Sequence, residues 1–164
     1  MDFAKIVRIL DSLEKERVDY AIFGAVALNL HGIVRATEDL DLFVRPGAGN
    51  IERLRRALQR VYDDPHIAEI STEDLLGDYP AVRYFPPASE DGDEFYLDIL
   101  TRLGEKVTYS DLEILEIEVE GVRVRVVSPR TLHWLKRDTI RDKDRVDARY
   151  LAEKFDLEEE EGDR

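Results

Sequence analysis

The sequence predicts one α/β (α+β) domain: a mixed β-sheet flanked by helices, spanning about residues 1–155 and ending in a helical section over about 128–155. Three observations predict it. Helical and strand-like segments alternate through the first third of the chain, so a sheet must be covered by helices. Residues 113–127, "EILEIEVEGVRVRVV", alternate apolar and charged residues on both sides of Glu120-Gly121, which reads as a hairpin with one wet face. The order that results, α-β-α-β-α-(β)-β-β-β-α-α, is neither strict βαβ repetition nor an all-β meander, and so requires a mixed sheet.

Each element has a local cause. Phe3, Ile6, Val7, Ile9, Leu10 and Leu13 recur at the spacing of an amphipathic helix over residues 2–16. "VDYAIFG" is a short buried strand that stops at Gly24, and "AVALNLHG" is a helix closed by Gly32. "DLDLFV" is a second strand, ended by "RPGAGN". Asn50 is the expected N-cap of the helix "IERLRRALQRVY", which carries Ile51, Leu54, Leu58 and Val61 on one face. "TEDLLG" suggests a helical turn, while "AVRYFPP" and "EFYLDIL" are strand candidates separated by the loop "ASEDGD". Ser128 caps a helix with Pro129 at its first position, and a final helix runs from about Asp142 to Lys154. The segment 156–164, with six acids against one base, is expected to fray into solvent.

Composition narrows the function. The 164 residues, 43% hydrophobic, suffice for one core, and no apolar run approaches the ~20 residues of a membrane span. The N-terminus is amphipathic and acidic rather than signal-like, so a cytoplasmic location is expected. The absence of cysteine rules out disulfides and thiolate zinc sites. A net charge of −13 argues against broad non-specific nucleic-acid binding. Residues 130–149 run the other way, with seven Lys/Arg against four Asp, either as a salt-bridged helix surface or as a local anion-binding patch.

The chemistry lies where acids interrupt apolar strands. In "DLDLFV", Asp39 and Asp41 stand at i and i+2, so both carboxylates project from one face. Such anions repel, and one keeps its proton unless a cation sits between them. A hard divalent ion is the usual solution, as in two-metal sites that clamp a phosphoryl displacement. Asp98 repeats the pattern in "EFYLDIL": Phe95, Leu97 and Ile99 make one face, and Asp98 shares the other with Tyr96 and Leu100. If that strand lies beside "DLDLFV", three carboxylates converge; otherwise Asp98 is an edge residue or an arginine's partner. The turn at Gly24-Ala25 opens a helix and presents backbone N–H groups to an anion.

Taken together, "IFGAVALNLHGIVRATEDLDLFV" resembles the pattern of the polymerase-β-type nucleotidyltransferase superfamily, G-[GS], a spacer, then D-x-[DE]. Here Gly24-Ala25 is followed by 13 residues and then Asp39-Leu40-Asp41. The "HG..R.T.DLDL" context and the C-terminal "SPRTLHWLKRDTIRDKDRVDARYL" resemble the small branch of AbiEii-toxin-like and uncharacterised nucleotidyltransferases. The resemblance covers residues 20–44 and 95–151.

It implies a nucleotidyltransferase fold and transfer of a nucleoside monophosphate from an NTP to an acceptor hydroxyl, with release of pyrophosphate. The acceptor would be a tRNA 3′ end, a protein or a small molecule, and a small cognate protein is an implied partner. By the same resemblance, Asp39, Asp41 and Asp98 would hold Mg²⁺, or Mn²⁺ in its place, with Asp98 helping to activate the incoming hydroxyl. Gly24 would make the phosphate-approach turn, Lys136 would contact phosphate or base, and Asp144 would orient Lys136 or a neighbour. Arg35 and Thr37 would support the acidic strand or the phosphates. His31 reads as a packing or capping residue, and Trp134 as core rather than a base-stacking platform. Ala25 departs from the pattern, since a Ser there would donate a hydroxyl to the γ-phosphate. That departure is the one feature favouring the alternative, a degenerate nucleotidyltransferase fold that acts as a binding module or antitoxin-like partner.

Overall fold

The computed structural model describes residues 3–78, 80–88 and 95–157. Its six-stranded sheet has the order β3-β4-β2-β1-β8-β7. The central strands are β1 (Tyr20–Phe23), β2 (Asp39–Val44), β4 (Tyr96–Leu100) and β8 (Val122–Val127), with β3 (Ala81–Tyr84) and β7 (Ile114–Val119) at the edges. The sheet is mixed: β2 runs antiparallel to β1 and parallel to β4, β8 is parallel to β1, and β3–β4 and β7–β8 are antiparallel. The 113–127 hairpin thus forms as its alternation predicts.

Helix α1 (Phe3–Lys15) buries Ile6, Ile9, Leu10 and Leu13, and packs against β8 and α3 (Ala48–Tyr62). The Ser12 hydroxyl donates to the Ala57 carbonyl at 2.7 Å, tying α1 to α3. The short α2 (Gly24–Leu30) packs against β1 and β2, and α5 (Pro129–Arg137) against α6 (Asp142–Phe155). Ser128 caps α5 as expected, accepting from the Thr131 N–H at 3.2 Å. No helix among the described residues is long and apolar enough to cross a membrane.

Some boundaries differ from expectation. Helix α3 begins at Ala48, so Asn50 is not its N-cap. The Asn50 side chain is buried instead, accepting from the Asp19 N–H (2.8 Å) and donating to the carbonyls of Asp19 and Arg45 (both 2.9 Å). It satisfies backbone groups where β1 begins and β2 ends, a stronger demand than a cap that water can replace. The small hairpin β5 (Arg102–Leu103) and β6 (Val107–Thr108), the helical turn α4 (Thr72–Leu76) and the 3₁₀ turns Pro65–Glu69 and Tyr109–Asp111 fill the connections. Apart from α4, these pieces are too short to show a period. Asp156 ends α6 in the left-handed conformation, and Leu157 packs on the core while its N–H donates to the Ala152 carbonyl. The tail from 158, and all of the loop 88–93 except Ala88, lie outside the described residues.

Alternation along β2 positions the acids. Leu40 and Leu42 are fully buried while Asp39 and Asp41 face the other way, half-buried. Burying each Leu contributes roughly 1.5–3 kcal/mol, and a one-residue slip would trade that for carboxylates in the core. The apolar face therefore fixes which way the acids point.

Candidate active site

Strands β2 and β4 lie side by side in register, with Asp41 opposite Asp98 and Asp39 opposite Tyr96. Parallel pairing carries Asp98 onto the face of Asp39 and Asp41. Each acid offers one carboxylate oxygen, and the three oxygens lie within 4.8 Å of one another. The juxtaposition expected from the two strands is realised. So is the competing expectation for Asp98, because Arg83 on β3 grips it with Nε–Oδ1 at 2.7 Å and Nη2–Oδ2 at 2.8 Å.

The three carboxylates are not equivalent. Thr37 donates its hydroxyl to Asp39 Oδ1, and Tyr96 donates to Asp39 Oδ2 at 3.3 Å. The charge of Asp39, and then burial, raise the Tyr96 phenol, which stays a donor. What acts on Asp41 is burial first, then repulsion from Asp39 and Asp98, and these push it up to about 7. The positive charges of Lys136 and Lys143 oppose that rise.

Gly24 meets this acid directly. Its φ is +70°, and a Cβ there would stand 1.9 Å from Asp41 Oδ2. The chain needs glycine here so that Asp41 can lie against the start of α2. No side chain caps that helix, which begins on Gly24 and half-buried Ala25.

A second polar cluster joins α5, α6 and the segment before β2. Lys136 Nζ reaches Asp144 Oδ1 at 2.8 Å and Asp147 Oδ2 at 2.9 Å, and Arg35 Nε takes Asp147 Oδ1 at 2.8 Å. Burial opposes ionisation of Asp144, but hydrogen bonds from Lys136 and Thr139 with the charges of Lys136 and Arg141 hold it below the usual carboxylate range. Asp147, buried between Arg35 and Lys136, was not foreseen from the sequence. Its signal was present: Asp144 and Asp147 stand at i and i+3 on one helix face. The backbone of Arg35 is held as well, its N–H donating to Asn29 Oδ1 at 2.7 Å and its carbonyl accepting from Asn29 Nδ2 at 2.8 Å.

The remaining singled-out residues separate from the site. His31 packs edge-on against Phe155 and bonds the Val127 carbonyl through Nε2 at 2.8 Å, a packing role as expected. Trp134 corrects its expectation: it is 42% exposed and lines a groove with Arg130 and Arg137 rather than filling the core. Packing of α5 on α6 turns the Lys136 face inward and leaves the Trp134 face outside. Within the basic 130–149 segment, Lys136, Arg137 and Arg145 form ion pairs with aspartates, so part of the segment is a salt-bridged helix surface.

A family model, described as the nucleotidyl transferase AbiEii toxin of a type IV toxin–antitoxin system, matches residues 8–161. The chain belongs to the AbiEii family. Among solved structures, this AbiEii-family chain is similar to ANT(2″)-Ia in complex with adenylyl-2″-tobramycin, at 12% identity and a TM-score of 0.52, over 92% of this chain and 87% of that one. It is also similar to JHP933 from Helicobacter pylori, at 20% identity and a TM-score of 0.54, over 92% of this chain but 64% of that one. Those likenesses show the nucleotidyltransferase fold expected from the sequence. No curated protein matches the chain in sequence.

The AbiEii-family site fits a hard divalent cation. Its donors are all carboxylate oxygens, close enough to share one ion. Burial first, and then the charges of Asp39 and Asp98, raise the Asp41 carboxyl, and a cation shared by the three acids would relieve that repulsion.

Proposed function

We propose that this chain is a divalent-metal-dependent nucleotidyltransferase, which moves a nucleoside monophosphate from an NTP to an acceptor hydroxyl. The observation that carries the reading is the convergence of Asp39, Asp41 and Asp98 within one ion's reach, on a fold of this class. These three residues would hold Mg²⁺ or Mn²⁺. The bound metal supplies charge neutralisation at the triphosphate and the leaving pyrophosphate.

In the transfer, a bond forms between the acceptor oxygen and the α-phosphorus while the bond from that phosphorus to the pyrophosphate oxygen breaks. Asp98 takes the acceptor hydroxyl's proton. The start of α2 at Gly24 and Ala25, which no side chain caps, would offer backbone N–H groups to the phosphates in place of a hydroxyl at position 25. Lys136, held by Asp144 and Asp147, contributes positive charge, Thr37 braces Asp39, and Arg35 ties the segment before the acidic strand to Asp147 and Asn29. The chain's part is thus positioning and electrostatics.

The acceptor reading follows the family: a tRNA 3′ end or a protein hydroxyl, with a cognate antitoxin protein as partner. A small-molecule acceptor is a second reading, favoured by the fold shared with a protein solved with adenylyl-2″-tobramycin. Transfer of label from each α-labelled NTP to tRNA, protein or aminoglycoside, by wild type and by the Asp39→Asn/Asp41→Asn double variant, is the test. Transfer by the wild type alone is expected. Equal transfer by both proteins overturns the reading, as does metal-independent NTP binding by calorimetry without any transfer, which favours the binding module.

A further inference from the structure

Arg83 is the one cation among the described residues that takes both oxygens of a triad carboxylate. It lies on edge strand β3 directly opposite Asp98 in the antiparallel register, and its fork closes on both carboxylate oxygens. Its guanidinium also stacks over Tyr96, 4.3 Å from the ring centroid, and Tyr96 in turn donates to Asp39. One arginine therefore connects to two of the three acids. Its side chain is about half exposed, so it can swing away without opening the core.

Resting on the metal-binding reading above, we propose that Arg83 is an internal competitor of the divalent ion: a positioning residue that holds Asp98 in place while the site is metal-free and sets how tightly metal binds. Two physical effects act together. Both oxygens of Asp98 already accept from Arg83, so an ion shared by the three acids must take a remaining lone pair on an oxygen whose charge the guanidinium draws, or displace one of the two bonds. A fixed positive charge beside the site also lowers the attraction for a second cation. The arrangement still benefits the empty protein, because without Arg83 a third carboxylate would stand uncompensated beside Asp39 and Asp41. Arg83 thus trades metal affinity for a preorganised acid.

The test uses the full chain without nucleotide and reads Mn²⁺ binding by electron paramagnetic resonance of the free ion. Wild type, Arg83→Gln, Arg83→Lys and Asp39→Asn/Asp41→Asn are compared. Arg83→Gln is expected to bind Mn²⁺ about tenfold more tightly than wild type. Arg83→Lys, which keeps the charge and loses the fork, should fall between them, and it carries the test if Arg83→Gln does not fold. In EDTA, Arg83→Gln should melt below wild type, and saturating Mn²⁺ should close that gap. Unchanged or weaker Mn²⁺ binding by the folded Arg83 variants, with wild type binding normally, overturns this inference alone. Wild type that binds no more Mn²⁺ than the double Asn variant overturns the triad reading itself.

Discussion

Gly24 and Asp41 are in contact: a Cβ on Gly24 would lie 1.9 Å from Asp41 Oδ2 and 2.7 Å from its Cγ. Gly24 also has a φ of +70°, a conformation that side chains disfavour. Gly24→Ala must therefore strain the backbone and push Asp41 away at once. A loss of about 2–4 kcal/mol in urea unfolding is expected, together with loss of the Mn²⁺-dependent rise in melting temperature. Ala25→Ser, one residue on, should change stability by less than about 1 kcal/mol.

Asp41 gives the metal-free protein a pH signature. Its carboxyl is raised to about 7 in the fold, so between about pH 4 and pH 7 the folded state binds a proton that the unfolded chain has released. This group's contribution to stability is accordingly present below pH 4 and lost as pH rises toward 7, by on the order of 4 kcal/mol. Urea unfolding in EDTA across this range should show the loss, and Asp41→Asn should remove it.

Asp147 is the shared anion of Arg35 and Lys136. Removing it takes the carboxylate from the partly exposed Arg35 and one of two from Lys136, which keeps Asp144, and the loss of such charge-assisted bonds costs about 1–3 kcal/mol. Asp147→Ala should lower stability by that order in chemical denaturation. The conservative Asp147→Asn, which keeps an acceptor but no charge, should lose less.

Trp134 is the chain's single tryptophan and stands half-exposed. Its native fluorescence should be quenched readily by acrylamide, and Trp134→Phe should alter stability by less than about 1 kcal/mol. Protection from acrylamide in the isolated protein would contradict its position outside the core.

Much of the site is legible along the chain, because period-two alternation is local. Asp39 and Asp41 must share a face wherever β2 goes, and Asp98 must oppose the apolar face of β4. The convergence of the three acids depends on β4 lying next to β2, parallel and with Asp98 opposite Asp41. No property of either strand taken alone states that pairing. Arg83 was invisible for the same reason: in "AVRYFPP" it is one more charged strand residue until the register sets it against Asp98.

Helical residues divide similarly. The i, i+3 spacing of Asp144 and Asp147 is written in the sequence, but their partner Lys136 comes from the neighbouring helix and Arg35 from before β2. The Ser128 cap and Pro129 announce helix α5 and leave its orientation open, so Trp134 reads as core until packing on α6 selects the Lys136 face. Asn50 looks like a cap and serves instead as a buried clasp for Asp19 and Arg45. Periodicity, caps and turns are short-range, so the residues themselves settle which elements form and which side of each strand is polar. Neighbour, register and helix orientation come from burying those apolar sides together, and that long-range packing makes a triad, a competing arginine and a lysine cluster out of separated charges.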